Sequence, residues 1–197
     1  VAQAIGADEA ATLRAADLCK CDLLTSMVGE FPELQGLMGK YYARADGESE
    51  NVAAALEEQY RPRFAGDALP VSREGLALGM ADPHDTIAGI FAIGQKPSGA
   101  RDPFGIRRAA LGVLRMCIEA QLDIDLHQLI ATAVQVQPVE SQVTNDIIDY
   151  FAERLRGLYL EDSSERAITP EMFDAVLARR PASPLDFAAR LQAPEAF

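Results

Sequence analysis

The chain has little of the chemistry that most catalytic and metal sites use. Its 197 residues include no tryptophan, two histidines and three cysteines. Cys19, Cys21 and Cys117 form an odd set without metal-site spacing, which is typical of small buried side chains in a reducing compartment. A C-x-C pair on a helix points its side chains about 200° apart, so Cys19 and Cys21 should not share one ion. We expect no metal site.

Long apolar runs are missing as well. No stretch of about 18 apolar residues is present, and no charged and then apolar leader opens the chain, so we expect neither a membrane span nor export. A cytoplasmic location follows as an expectation. The first residue is Val1 rather than methionine, which indicates processing or an internal piece of a longer protein.

Positive charge is scarce. The formal net charge is -12, which argues against a free-standing nucleic-acid-binding module and against DNA as a partner. Any contact with RNA must be local, on a basic patch. At 49% hydrophobic residues, the chain can still bury a core of one large or two small domains.

The apolar residues recur with helical spacing, and no sustained alternation predicts a strand. We therefore predict an all-α fold of about eight or nine helices. Asp8 should cap one long helix that runs through Val28, possible kinks included, and Pro70 or Ser72 should open a densely apolar central helix. Asp102, followed by Pro103, should cap the next helix, and Val143 to Leu160 should form another.

A basic loop joins the two apolar helices at the centre of the chain. Residues 95 to 115 hold five basic residues against one acid, Asp102. The five basic residues are Lys96, Arg101, Arg107, Arg108 and Arg115. They fall off the apolar stripe of the second helix, so core packing does not explain them.

Three ordered segments carry a family resemblance. They read CKCDLLTSMVGEFPELQGLMGKYYARADGE, EEQYRPRFAGDALP and MADPHDTIAGIFAIGQKPSGARDPFGIRRAALGVLRM. Together they resemble the beta subunit of bacterial heterotetrameric glycyl-tRNA synthetase, along the whole chain. The resemblance favours an internal to C-terminal fragment, because that subunit is several times longer.

The resemblance implies a division of labour. The alpha subunit performs the adenylate chemistry with ATP and Mg, while the beta subunit binds tRNA(Gly) and is needed for aminoacylation. We therefore expect a non-catalytic tRNA-binding scaffold that is inactive alone and binds no cofactor itself. Its expected partners are tRNA(Gly), the alpha subunit and the remainder of the beta subunit.

Two segments also resemble signature helices of the HD superfamily of metal-dependent phosphohydrolases. They are Cys19 to Leu23 and Met80 to Asp85, which place Asp22 and Asp82 at degenerate HD positions. An active site of that kind needs several imidazoles on one metal ion, and His84 and His127 do not supply them. We expect an HD-like bundle without metal, in which Asp22 and Asp82 are polar core groups or caps, with Lys20 as a candidate partner. A divergent phosphohydrolase and a protein-interaction scaffold remain the alternatives.

The candidate tRNA-binding residues combine the basic segment with a second loop. They are Lys96, Arg101, Arg107, Arg108 and Arg115, together with Arg61 and Arg63. Arg107 and Arg108 pairing with acidic neighbours on a solvated face is an equally weighted alternative. Tyr42 and Phe64 are the candidates for exposed stacking rings, whereas helical spacing favours a core position for Tyr41 and Tyr60.

The domain organisation is weakly marked. Polar residues between Gln135 and Gln142 suggest a soft boundary, with an HD-like helical domain over residues 1–137. Residues 138–197 would then form a C-terminal helical segment that leads towards an anticodon-binding region. A single continuous body is the alternative.

Overall fold

A computed structural model describes residues 1–97, 102–160 and 168–193. Helices and connecting turns account for this part of the chain, and none of its residues is in a strand. The helices are α1 (Ala2–Ile5), α2 (Glu9–Leu18), α3 (Ser26–Glu30), α4 (Leu37–Ala45), α5 (Glu50–Glu58), α6 (Arg73–Ala92), α7 (Ile106–Glu119), α8 (Leu126–Gln135), α9 (Thr144–Leu160), α10 (Pro170–Leu177) and α11 (Pro184–Gln192). Short 3-10 helices span Cys21–Leu24 and Pro32–Leu34. The all-α prediction is confirmed.

The chain divides into two compact units within the longest helix. Unit 1 is Val1–Asp82 and unit 2 is Pro83–Phe197, so the division falls inside α6. It does not coincide with the expected boundary after residue 137, which stays a prediction. The segment on either side of that boundary belongs to unit 2, where α8 packs on α9.

Unit 1 is built around α5. This helix packs against α2 and α4, and its small residues Ala53 and Ala55 are fully buried. The cluster also contains Ala15, Ala43, Val52, Leu56 and Leu78. Because alanine keeps helix backbones close together, few large side chains are needed to fill this core.

The predicted long helix from Asp8 to Val28 is wrong. Asp8 does cap its start, by accepting a hydrogen bond from the Ala11 backbone N–H at 2.9 Å. However, α2 ends at Leu18, and Lys20 adopts a left-handed conformation with φ 68°. A left-handed residue cannot continue a right-handed helix, so the apolar residues beyond it fold as a 3-10 helix and then as α3.

The densely apolar central segment is helical and buried, as predicted. Leu76, Met80, Ile87 and Phe91 on α6 are all at most 6% exposed. Pro83 lies inside this helix, at the first position of unit 2. Proline has no N–H to donate, so the backbone hydrogen-bond series of α6 loses one donor there.

Unit 2 is organised around α7, which packs against α9 and α11. Its buried residues include Ile106, Ala110, Val113, Leu114 and Cys117, so the second apolar helix predicted from the sequence does bury an apolar stripe. Aromatic side chains complete the core at the other end of the unit, where the Phe173 and Phe187 ring centroids are 5.0 Å apart.

The start of α7 differs from the prediction in its details. The helix begins at Ile106, after Gly105 with φ 68°, so Asp102 and Pro103 lie before it. The Asp102 carboxylate nevertheless accepts hydrogen bonds from the backbone N–H groups of Ile106 at 2.9 Å and Arg107 at 3.0 Å. Asp102 therefore caps the helix from outside it, satisfying two N–H groups that have no partner within the helix.

The three cysteines differ sharply in environment, which gives a first testable prediction. Cys21 is exposed and Cys117 is completely buried, where burial raises the pKa of its thiol to about 12. Only a thiolate is nucleophilic, so at mildly alkaline pH we expect a thiol reagent to modify Cys21 and leave Cys117 unmodified until the protein is denatured.

Mass spectrometry of the labelled peptides measures this directly. Labelling under denaturing conditions is the control, since all three thiols are then accessible. Rapid modification of Cys117 in the native protein would contradict the packing of α7.

Candidate functional site

The basic segment contains residues in different electrostatic states. Lys96 is paired with Asp146 on α9, so its charge is already compensated. Arg108, on the first turn of α7, is exposed and has no acidic partner among the described residues. Arg101 lies outside the described residues. Among the described members of the segment, Arg108 therefore has a charge that is available to a ligand.

Arg107 and Arg115 are half-buried on α7. Arg107 lies beside Tyr150, whose hydroxyl pKa is raised by burial and lowered in part by the positive charges of Arg154 and Arg107. Arg115 forms a salt bridge with Glu119 at 2.6 Å, one turn along the helix. The alternative that Arg107 and Arg108 pair with acidic neighbours is therefore not met at Arg108 among the described residues, whereas Arg115, which that alternative did not include, has an acidic partner.

Arg61 and Arg63 belong to unit 1. Arg61 pairs with Glu57 at 2.7 Å, and the same carboxylate holds Lys40 at 2.7 Å. The role of Glu57 was missed, although its spacing four residues before Arg61 is visible in the sequence. Arg63 is exposed and donates to the backbone carbonyl of Gln35 at 2.9 Å.

The aromatic predictions are mixed. Phe64 is 63% exposed, as expected for a stacking platform, and Tyr42 is half-buried. Tyr41 was expected in the core but is 53% exposed. Tyr41 and Ala43 are two residues apart, which is about 200° around a helix. Since Ala43 is buried, Tyr41 lies on the opposite, exposed side of α4 despite its partly apolar ring.

Arginines near the end of the chain are mostly neutralised. Arg154 pairs with Glu153 at 3.1 Å and Arg190 with Asp186 at 2.9 Å, and Arg156 pairs with Asp174. These pairs are separated by one, four and eighteen residues. These three arginines are therefore solvated ion pairs rather than parts of a strongly positive surface.

Asp22 is buried inside unit 1 and has a hydrogen-bond donor there. It is 4% exposed, and its carboxylate accepts a hydrogen bond from the backbone N–H of Gly36 at 2.6 Å. Gly36 needs its lack of a side chain, because its φ is 81° and a Cβ there would lie 2.5 Å from the Tyr60 ring. A buried carboxylate needs such a donor, so Asp22 acts as a polar core group that ties the 3-10 helix Cys21–Leu24 to the start of α4.

Asp82 has a different partner. Its carboxylate binds the ammonium of Lys20, the residue whose left-handed conformation ends α2. Burial lowers the pKa of Lys20, but the hydrogen bond and negative charge of Asp82 outweigh this, so the pKa of Lys20 is raised. The structure thus pairs Lys20 with Asp82 and gives Asp22 a backbone donor.

Each of these two carboxylates has a partner within the protein, the Lys20 ammonium for Asp82 and the Gly36 N–H for Asp22. Among the described residues, no group of three or more His, Cys, Asp or Glu is placed to hold a metal ion. Of the two histidines, His84 is buried and stacks on Phe151 with ring centroids 5.7 Å apart, in unit 2. The HD-like label remains a prediction.

No helix in the part of the chain that the structure describes is both long enough and apolar enough to cross a bilayer.

The contrast between Asp22 and Asp82 gives a stability prediction. Asp22→Leu should lower the free energy of unfolding by about 1–3 kcal/mol, because it leaves a buried Gly36 N–H without an acceptor. Asp82→Leu should cost at most about 1 kcal/mol, because the Lys20 and Asp82 side chains are 46% and 40% exposed.

Urea denaturation of the two variants and the unchanged protein measures both values. Asp82→Leu is the matched control, since it removes the same charge and adds the same side chain. Equal losses in the two variants would show that the hydrogen bond to Gly36 does not stabilise unit 1.

The chain is similar to known proteins along its whole length. A family model described as the glycyl-tRNA synthetase beta subunit matches residues 1–178. The chain is 50% identical, over its whole length, to the glycine--tRNA ligase beta subunits of Chromohalobacter salexigens, Aeromonas hydrophila and Klebsiella pneumoniae. It spans 28% of the length of each of these curated relatives. The chain therefore belongs to the glycyl-tRNA synthetase beta subunit family.

Proposed function

We propose that the chain is a non-catalytic, tRNA-binding helical part of a glycine--tRNA ligase in the cytoplasm. The adenylate chemistry, with ATP and Mg, would take place in the alpha subunit, and the remainder of the beta subunit would complete the assembly. Membership of the family supports the ligase role. The uncompensated charge of Arg108 at the start of α7 is the observation that supports RNA contact.

The geometry at this helix start favours an anionic ligand. Arg108 is exposed on the first turn of α7, and its guanidinium supplies the positive charge, because the Asp102 carboxylate already caps the helix end. Asp102 occupies two of these N–H groups from one side, which fixes where the helix begins. Arg108 is thereby held at a defined position from which a guanidinium can bind a phosphate.

The phosphohydrolase alternative has less support. Such chemistry needs carboxylates and imidazoles free to coordinate a divalent ion. Here the Lys20 ammonium binds Asp82, and Asp22 accepts from Gly36. Among the described residues, no group of three or more His, Cys, Asp or Glu is placed to supply the further ligands that a metal would require.

A protein-binding scaffold is a second candidate, favoured by an apolar surface of unit 1. Leu24 is 90% exposed, and Leu23, Met27 and Phe31 nearby are between 41% and 51% exposed. Large apolar side chains grouped in this way are typical of surfaces that contact another protein. Scaffolding and tRNA binding are compatible, because the two surfaces lie on different units.

The tRNA proposal is tested in the complete ligase. Replacing Lys96, Arg101 and Arg108 together with alanine should weaken tRNA binding. It should also reduce the slope of log affinity against log salt by roughly 0.7–0.9 for each phosphate that the protein no longer neutralises. Glycine-dependent adenylate formation should stay intact, since the segment is not proposed to touch that chemistry.

The matched control replaces Arg154, Arg156 and Arg190. It removes the same number of positive charges, but all three of these arginines are paired with an acid, whereas the test variant includes Arg108, which has no acidic partner among the described residues. It should change the salt slope little. If both triple variants bind tRNA with wild-type affinity and slope, the basic segment does not face the tRNA.

A further inference from the structure

Unit 2 contains a cavity that the proposed function does not use. It has a volume of about 320 Å³ and lies between α7, α8, α9 and the segment that leads into α11. Buried apolar side chains, including Ile130, Phe151 and Phe187, form its walls. Ligand sites span roughly 300–1,000 Å³, so this cavity has the volume of a site for a small ligand.

Polar side chains are grouped around this apolar space. Asn145, Asp149 and Arg180 are exposed and His127 is half-buried, and all four line the cavity. Within the described part of the chain, none of these four side chains forms a hydrogen bond or an ion pair. A cavity with apolar walls and several convergent polar groups is the usual form of a small-ligand site.

Asn145 and Asp149 define which ligand fits. They are four residues apart on α9, so their side chains share one helix face with Cβ atoms about 5–6 Å apart. An amide offers a donor, whereas an ionised carboxylate offers only acceptors. This order, one donor followed by two acceptors, complements the Watson–Crick edge of guanine, which presents O6, N1–H and the 2-amino group.

Other bases fit this arrangement less well. Adenine would direct its N1 acceptor at the Asp149 carboxylate, and two acceptors facing each other repel. An apolar side chain from another protein would contact the apolar walls but would leave the polar side chains around the cavity without partners. Arg180, at the rim, is placed to take a phosphate next to a bound base.

We infer that this cavity binds an unstacked guanine of a single-stranded RNA segment, with Asn145 and Asp149 reading its Watson–Crick edge. The inference rests on the proposed function only in taking RNA as the ligand, and it concerns a different site from the basic segment. Proteins commonly recognise RNA sequence by drawing out single bases and hydrogen-bonding their edges.

The test uses short single-stranded RNAs that differ only in a central guanine, inosine or adenine, with the complete ligase as the protein. The unchanged ligase should bind the guanine RNA about tenfold more tightly than the adenine RNA, with inosine between them because it lacks the 2-amino group. Asp149→Asn should bring the ratio of guanine to adenine affinity close to one, since an amide can donate to adenine. Asn145→Ala should weaken guanine and inosine alike.

Glu153→Gln is the matched control. It makes the same change of charge on the same helix, at an exposed residue that does not line the cavity. It should leave the preference for guanine unchanged. Thermal unfolding of Asp149→Asn should match the unchanged ligase, because the side chain is exposed and has no partner to lose.

The contrary outcomes are distinct. No preference for guanine in the unchanged ligase, or a preference that survives Asp149→Asn, would overturn the inference. A change in subunit assembly by sedimentation, with no base preference, would instead identify the cavity as an anchor for protein and overturn it as well. Failure of the tRNA proposal for the basic segment would appear separately. In that case, replacing Lys96, Arg101 and Arg108 would leave the salt slope of tRNA binding unaltered.

Discussion

The burial of α7 is the constraint on which unit 2 depends. Its apolar face packs against α9 and α11, and its start is fixed by the Asp102 carboxylate. Because that face must point inward, the basic residues of the helix are directed away from the core. The same packing that stabilises the unit therefore determines which arginine is exposed and where the cavity beside α9 is formed.

More than half of the lysine and arginine residues that the structure describes are paired with an acid, so the unpaired ones stand out. Lys20 binds Asp82, Lys96 binds Asp146, and Arg115 binds Glu119. Exposed pairs such as these contribute little to stability, typically below about 1 kcal/mol each. They do reduce the positive charge of the surface, so an acidic protein retains only a few cations for RNA.

The sequence predicted those elements whose own residues determine them. The apolar stripe of α9 located that helix to within one residue, and the stripe of α7 identified its buried face. The break after α2 was not predicted, because nothing in the local pattern indicates that Lys20 takes a left-handed conformation. The partners of Asp22 and Asp82 lie 14 and 62 residues away, so they depend on tertiary packing that periodicity does not report. The lack of an acidic partner for Arg108 among the described residues depends on where the acidic residues lie in the fold, which the sequence does not show. The cavity likewise depends on how the helices pack.

The most direct measurement of the central claim is amide hydrogen exchange of the complete ligase with and without tRNA. If the start of α7 faces RNA, peptides that cover residues 102–110 should exchange more slowly when tRNA is bound. Peptides around Asp22 should exchange at the same rate, because that cluster supports the fold of unit 1. Unchanged exchange over residues 102–110, in a complex where tRNA slows exchange elsewhere, would contradict the account.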